Sequence, residues 1–220
     1  MTDSTRQQVL ARIRSATSAS GRDREVREAA YDALPRSYQR TGALAPAERM
    51  ALLVERLREY GAAVTKTSPE QLPQAIAAAI AASGKRILAA PLDLPSTWLA
   101  AGPEWRLDAD LTVAQIEAAE GVVTASTCAV ADSGTIVLHH GPAEGRRVLT
   151  LLPDWHLCVL RSSQVVSVLP EYFTRFPQPA PLATWFSGPS ATADIEMTRI
   201  KGVHGPRALS VILVEDAGEA

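Results

Sequence analysis

Several things are missing from this sequence, and each absence closes a class of function. No run of about 18 or more apolar residues occurs, so no segment reads as a membrane span. Only two cysteines are present, Cys128 and Cys158, and neither belongs to a C-x-x-C pair. The chain alone therefore offers no iron–sulfur or structural zinc framework, and both thiols read as small buried apolar residues. The four histidines show no H-x-H or H-x-x-x-H spacing, so no metal is expected in this chain. Neither G-x-G-x-x-G, G-x-x-x-x-G-K-[ST] nor G-x-S-x-G occurs, which removes the usual dinucleotide, P-loop and hydrolase-elbow readings. There is no excess of one charge either. Basic and acidic residues number 22 and 24, for a net charge of −2, and they are mixed along the chain. A nucleic-acid or membrane-surface partner would call for a basic patch, so neither is expected. Met1 to Arg14 alternate charged and apolar residues without the hydrophobic centre of a signal peptide, and the expected location is the cytoplasm. No internal repeat or low-complexity tract stands out.

What is present is an ordinary globular composition, 46% hydrophobic and 21% charged over 220 residues. That length suits one well-buried domain with a helical extension. Residues 1–45 read as the extension: Arg6 to Ala16 carry Val9, Leu10 and Ile13 at helical spacing, and Arg22 to Leu34 continue with a charged face. Residues 46–216 read as an α/β domain. Met50, Leu53, Val54 and Leu57 form the stripe of a helix from Pro46 to Tyr60, stopped at Gly61. Strands and helices then alternate. Ala62–Thr67 reads as a strand, and Ser68-Pro69 as the cap and first residue of an Ala-rich helix closed by Gly84. Lys85–Ala90 is a second apolar strand, Ser96 caps a short turn, Trp105–Leu107 is extended, and Thr112 caps a helix ending at Gly121. Val122–Ala125 and Thr135–Leu138 read as strands around a polar bend, followed by Leu157–Leu160 and Val165-Val166. A helix near Leu169–Arg175, a strand before Gly188, a helix near Ala193–Lys201 and a last strand, Leu209–Val214, complete the pattern. Such alternation predicts a mainly parallel or mixed sheet with helices on both faces.

Three segments carry candidate chemistry. The first runs from Gly188 to Pro206. Gly188-Pro189-Ser190 opens what reads as a helix start, with Thr192, Asp194 and Glu196 following and the turn Gly202-Val203-His204-Gly205-Pro206 behind it. Free N–H groups and a positive dipole end at a helix start favour an anion. The plainer reading is a capped helix whose acids complement its dipole. His204 is either a surface histidine or a proton-transfer group. The second segment is Ala131-Asp132-Ser133-Gly134-Thr135, which is turn chemistry in itself. It would gather Asp132, Ser133 and Thr135 at a sheet end where open α/β folds bind ligands, with Thr124, Ser126 and Thr127 just upstream. The third is Leu151-Leu152-Pro153-Asp154-Trp155-His156, where His156 precedes a buried strand and reads as a core-edge residue. His139-His140 read as an exposed pair.

In this order, Gly121-Val122-Val123-Thr124, Ala131-Asp132-Ser133-Gly134-Thr135, Leu151-Leu152-Pro153 with His156, Gly188-Pro189-Ser190 with Thr192 to Glu196, and Gly202 to Pro206 resemble the LUD domain family. Within it the chain resembles the lactate utilization protein C group, whose usual opening fits Val9 to Arg14. The resemblance spans about residues 45–215. One departure is visible: the family usually has Ala-Glu-Thr-Gly-Thr at residues 131–135, so Asp132 and Ser133 keep the chemical type with a shorter reach.

The resemblance implies a NagB/RpiA/CoA-transferase-like α/β fold and a role in oxidising L-lactate to pyruvate with iron–sulfur partner proteins. No redox cofactor is expected in this chain. A small carboxylate would be held by Thr124, Ser133, Gly134, Thr135, Gly188, Ser190, Thr192, Asp194, Glu196 and Gly205, with Asp132 or His204 handling a proton. The alternatives are a non-catalytic assembly or regulatory subunit and, by fold analogy, an enzyme acting on a sugar phosphate, folate or acyl-CoA.

Overall fold

The computed structural model describes residues 3–18, 24–178, 180–192, 200–201 and 205–216. The chain forms two compact units, Met1–Tyr38 and Gln39–Ala220. The first holds α1 (Asp3–Ser18) and α2 (Arg24–Asp32). Val9, Ile13, Val26, Tyr31 and Leu34 are exposed on it, and none of its described residues belongs to a buried core. Arg36 terminates α2: its guanidinium donates to the carbonyls of Tyr31, Asp32 and Leu34 and stacks 4.8 Å from the Tyr31 ring. These contacts satisfy carbonyls that have no helical partner.

The second unit begins with α3 (Pro46–Glu59), β1 (Ala63–Thr67), α4 (Leu72–Ser83) and β2 (Ile87–Pro91). A 3-10 turn (Ser96–Trp98), β3 (Glu104–Asp108), α5 (Val113–Glu117) and β4 (Gly121–Thr124) follow. Next come β5 (Cys128–Val130), β6 (Thr135–Leu138), a second 3-10 turn (Arg147–Thr150) and β7 (Trp155–Arg161). The chain closes with β8 (Val165–Val166), α6 (Leu169–Arg175), β9 (Thr184–Phe186), β10 (Ala191–Thr192), β11 (Ile200–Lys201) and β12 (Ala208–Val214). No helix among the described residues is long and apolar enough to cross a membrane.

The central sheet has the order β1-β12-β7-β4-β2-β3, with every neighbour parallel. Its inner strands are continuous apolar runs, as a sheet covered on both faces requires. On one face Leu88, Val123, Leu157, Val159 and Ile212 pack on Leu72, Ile76 and Ile80 of α4. On the other, Cys158, Leu160, Leu209, Val211 and Leu213 meet Leu53 and Leu57 of α3 together with Ala129 and Ile136 of a second sheet. Each fully buried leucine there contributes about 1.5–3 kcal/mol. The fold is thus an α/β fold, as the alternation predicted, and the apolar stripe of α3 lies in the core.

The structure corrects four readings. The strands around residues 122–138 do not share one mixed sheet. A short strand not expected from the sequence, β5, pairs antiparallel with β6, and both belong to a separate four-stranded sheet ordered β8-β5-β6-β9. Helix α4 starts at Leu72 with Gln71 before it; Ser68 and Pro69 supply carbonyls to a preceding turn instead. Ser96 is the first residue of its turn, with Pro95 ahead of it. Finally, no helix spans Ala193–Lys201 to its end. Ala191-Thr192 pair antiparallel with Ile200-Lys201, in the register Ala191 with Lys201 and Thr192 with Ile200. Residues 193–199 lie outside the described residues.

The β5–β6 hairpin turns through Gly134, whose φ is +63°. A Cβ there would stand 2.6 Å from Arg56 Cβ on α3 and 3.2 Å from its backbone carbon. Gly134→Ala therefore combines backbone strain with a clash. It should lower the urea midpoint by the equivalent of about 1–3 kcal/mol, with the denaturation slope unchanged.

Candidate functional site

A cavity of about 270 Å³ opens between the two sheets, at the ends where β7 and β12 begin. Its lining includes Arg147 and Thr150 from the second 3-10 turn, His156 at the start of β7, and Thr184 to Phe186 of β9. The Ser187–Ala191 segment, Gly205-Pro206 and Leu209 complete it. The location differs from the expectation that ligands gather at the carboxyl ends of the strands.

The two glycine turns singled out in the sequence meet here. Ser190 N donates to Pro206 O at 2.8 Å, joining Gly188-Pro189-Ser190 to Gly205-Pro206. Gly188 has φ +107°, and a Cβ on it would lie 2.5 Å from Tyr60 Cβ, so only glycine lets this loop seat on the end of α3. Gly188, Ser190 and Gly205 all line the cavity.

The mid-chain bend approaches the same loop from outside. Ser133 Oγ lies 2.8 Å from Thr135 Oγ1, which lies 2.7 Å from Ser187 Oγ on the cavity wall. Asp132, however, is exposed in the hairpin turn and is not part of the lining; its charge is felt by Arg56. Thr124 is buried behind the wall, bonded to His156. Ser126 donates to Val159 O and Thr127 to Glu144, so neither is open to a ligand. Thr192 belongs to β10. Asp194, Glu196 and His204 lie outside the described residues.

The sequence reading missed Arg147, Thr150 and Thr184 and set His156 aside. Arg147 donates through Nη1 to Thr150 O at 3.0 Å and to Thr150 Oγ1 at 3.1 Å. It forms no ion pair among the described residues, and burial alone pulls its pKa below the usual guanidinium value. An arginine nonetheless stays charged. His156 is 3% exposed, with Nε2 2.8 Å from Thr124 Oγ1 and its ring tilted against Phe186 at 5.4 Å. Burial, with the nearby Arg147 charge, pushes its pKa down to about 3, so its imidazole is neutral near pH 7. Among the described residues the cavity lining therefore presents a guanidinium without an acidic partner, a neutral imidazole and several hydroxyls, an anion-receptive set.

The loop before Arg147 is held by a buried carboxylate. Glu144, 3% exposed, accepts from Thr127 Oγ1, His139 N and Gly141 N. His140 and Ala143 there adopt left-handed backbone, φ +57° and +59°. His139 and His140 are not the exposed pair expected. His139 bonds Tyr172 OH at 2.7 Å, and His140 bridges Gly145 O and Thr184 Oγ1 at 2.8 and 2.7 Å. Both are partly buried, His139 against the Tyr172 and Phe176 rings and His140 between Gly145 and Thr184 of β9. An Arg-Arg pair after a Gly-Pro-Ala-Glu-Gly loop was the one available hint of this device. The two thiols are buried, their pKa values pushed up to about 11 for Cys128 and about 12 for Cys158. Among the described residues no three His, Cys, Asp or Glu side chains group to hold a metal ion.

These features define an α/β protein with a small cationic cavity between a parallel and a mixed sheet. The chain belongs to the LUD domain family, whose model matches residues 50–214. It is similar to lactate utilization protein C of Deinococcus radiodurans, with 40% identity over 188 residues, 83% of this chain and 87% of that one. Lactate utilization protein C of Bacillus subtilis is 33% identical over 134 residues, 56% of this chain and 55% of the relative. A crystal structure of a DUF162 family protein from Deinococcus radiodurans matches with a TM-score of 0.64 at 35% identity, covering 78% of this chain and 99% of that one.

His156 gives the site a pH signature. An unfolded histidine takes up a proton below about pH 6.5, whereas the native residue holds off until about 3. The unfolded state binds more protons within that window, so native stability is full above it and falls as pH drops, by a few kcal/mol (~1.4 per unit). Urea titrations at successive pH values should show this limb flattened in His156→Gln; an unaltered slope would contradict a neutral, buried imidazole.

Proposed function

We propose that this protein works in lactate utilization, supporting the oxidation of L-lactate to pyruvate together with iron–sulfur partner proteins, and that its cavity receives a small carboxylate. The relatives' names supply the process, and the cavity supplies the chemistry. The observation that carries the reading is Arg147, a partly buried guanidinium in the lining with no acidic partner among the described residues. A carboxylate would supply the missing negative charge through charge-assisted hydrogen bonds. Gly188, Ser190 and Gly205 stay in this reading as the opposite wall. Asp132 has no contact with the ligand in it, and proton handling falls to His156 or to His204, the residue before Gly205.

A second reading has its own support. Val9, Ile13, Val26 and Tyr31 are exposed on α1 and α2, and Leu34 just beyond α2, and such helices suit a docking arm for partner proteins. In that case the chain assembles the complex without touching lactate.

One reconstitution separates the two. Lactate-dependent reduction of an electron acceptor by the iron–sulfur partners should rise on adding this chain and fall by about tenfold or more with Arg147→Met, as for loss of a buried charged anchor. Full activity with Arg147→Met, together with loss on removing residues 1–38, would support the assembly reading instead. No effect of the chain would end both.

A further inference from the structure

Resting on the reading that the cavity takes a small carboxylate, we infer that the site recognises a 2-oxygenated monocarboxylate, in its 2-hydroxy and 2-oxo forms alike. Arg147 holds the carboxylate, and the His156–Thr124 pair reads the oxygen on C2.

Four observations lead there. First, Arg147 and His156 line the same cavity, and the Arg147 charge is felt at the imidazole. A ligand atom next to the carboxylate therefore comes before the ring. Second, His156 uses Nε2 on Thr124 Oγ1, and its Nδ1 has no hydrogen-bond partner among the described residues. Third, the partner on Nε2 is a hydroxyl. A backbone carbonyl or a carboxylate would fix the tautomer, but a threonine hydroxyl both donates and accepts. When Thr124 donates to Nε2, the proton sits on Nδ1, which then donates to a C2 carbonyl. When Nε2–H donates to Thr124, Nδ1 is bare and accepts from a C2 hydroxyl. One pair thus serves the reduced and oxidised forms of the same acid, with no charge change in the protein. Fourth, the cavity, at about 270 Å³, lies just under the ~300–1,000 Å³ of drug-sized sites. Phe186 and Leu209 in the lining offer an apolar wall for a short alkyl group. That size admits a three- or four-carbon acid.

Calorimetric titration of the full chain with pyruvate, L-lactate, propionate and inorganic phosphate tests this directly. Pyruvate and L-lactate should bind with dissociation constants within about tenfold of each other. Propionate, which lacks the C2 oxygen, should bind about tenfold or more weaker. Arg147→Met should abolish binding of all three acids. His156→Phe should keep propionate binding and lose the preference for pyruvate. Equal binding of propionate and pyruvate by the native chain, a preference that survives His156→Phe, or phosphate binding in place of the acids would each overturn the inference.

Should His156→Phe not fold, the ring-nitrogen NMR signals of the native chain decide. Pyruvate should move His156 Nδ1 toward the protonated position, L-lactate toward the bare one, and propionate neither. Shifts in one common direction, or none, would overturn it. Both measurements use this chain alone. A correct binding pattern with an inactive reconstitution would therefore fault the role in lactate oxidation, and the reverse would fault only the recognition scheme.

Discussion

Burial of the central sheet on both faces is the constraint from which the rest of the structure follows. With α4 on one side and α3 plus a second sheet on the other, a polar group that enters the strands must bring its partner or be neutral. Thr124 and His156 meet this demand by bonding each other, the histidine giving up its charge. Glu144 meets it by accepting from one hydroxyl and two backbone amides. Asp108, at the end of β3, meets it with the Arg146 fork, which holds its carboxyl below the usual range. Arg146 and Arg147 are neighbours with opposite fates: one is neutralised by Asp108, and the other lines a cavity with no acidic partner among the described residues.

The same constraint explains what was legible in the sequence. Strands buried on two faces are continuous apolar runs, and Val122-Val123, Leu157–Leu160 and Leu209–Val214 announce themselves as such. The α3 stripe is equally plain. Pairing is not. Nothing local distinguishes β4, which joins the parallel sheet, from β5 and β6, which leave it, because the difference lies in where the chain travels between Thr124 and Cys128. The reading of a helix after Ser190 relied on Ser, Asp and Glu as helix-start residues. The ladder from Ala191-Thr192 to Ile200-Lys201 takes its partner from a segment beyond the reach of that local signal.

The site was legible in part for the same reason. Gly188, Ser190 and Gly205 could be chosen because glycine with proline in a turn marks backbone that something must approach. The structure brings these turns together through the Ser190–Pro206 hydrogen bond. Arg147 was invisible because its interest lies in what it lacks. A sequence shows an arginine beside an arginine, and only packing reveals which one has an acidic partner. His156 was discounted on the sound argument that a histidine at a strand start is usually a satisfied core-edge residue. It is satisfied, through one nitrogen.

Departures from local rules gather at this one place. His140 and Ala143 hold left-handed backbone without being glycine, Gly188 seats tightly on Tyr60, Arg147 is partly buried without an ion pair among the described residues, and His156 is held far from its ordinary pKa. Left-handed strain at a non-glycine residue costs on the order of 1–3 kcal/mol. Desolvating an unpaired cation adds to it. These terms oppose folding, and a sequence under no other demand would relieve them with a glycine in the loop and an acid beside Arg147. The proposed anion site draws its support from this cost, because strained backbone and shifted pKa values cluster where a site is built. The Glu144 hydrogen bonds keep the strained loop from relaxing, and that rigidity holds Arg147 in the same lining as His156.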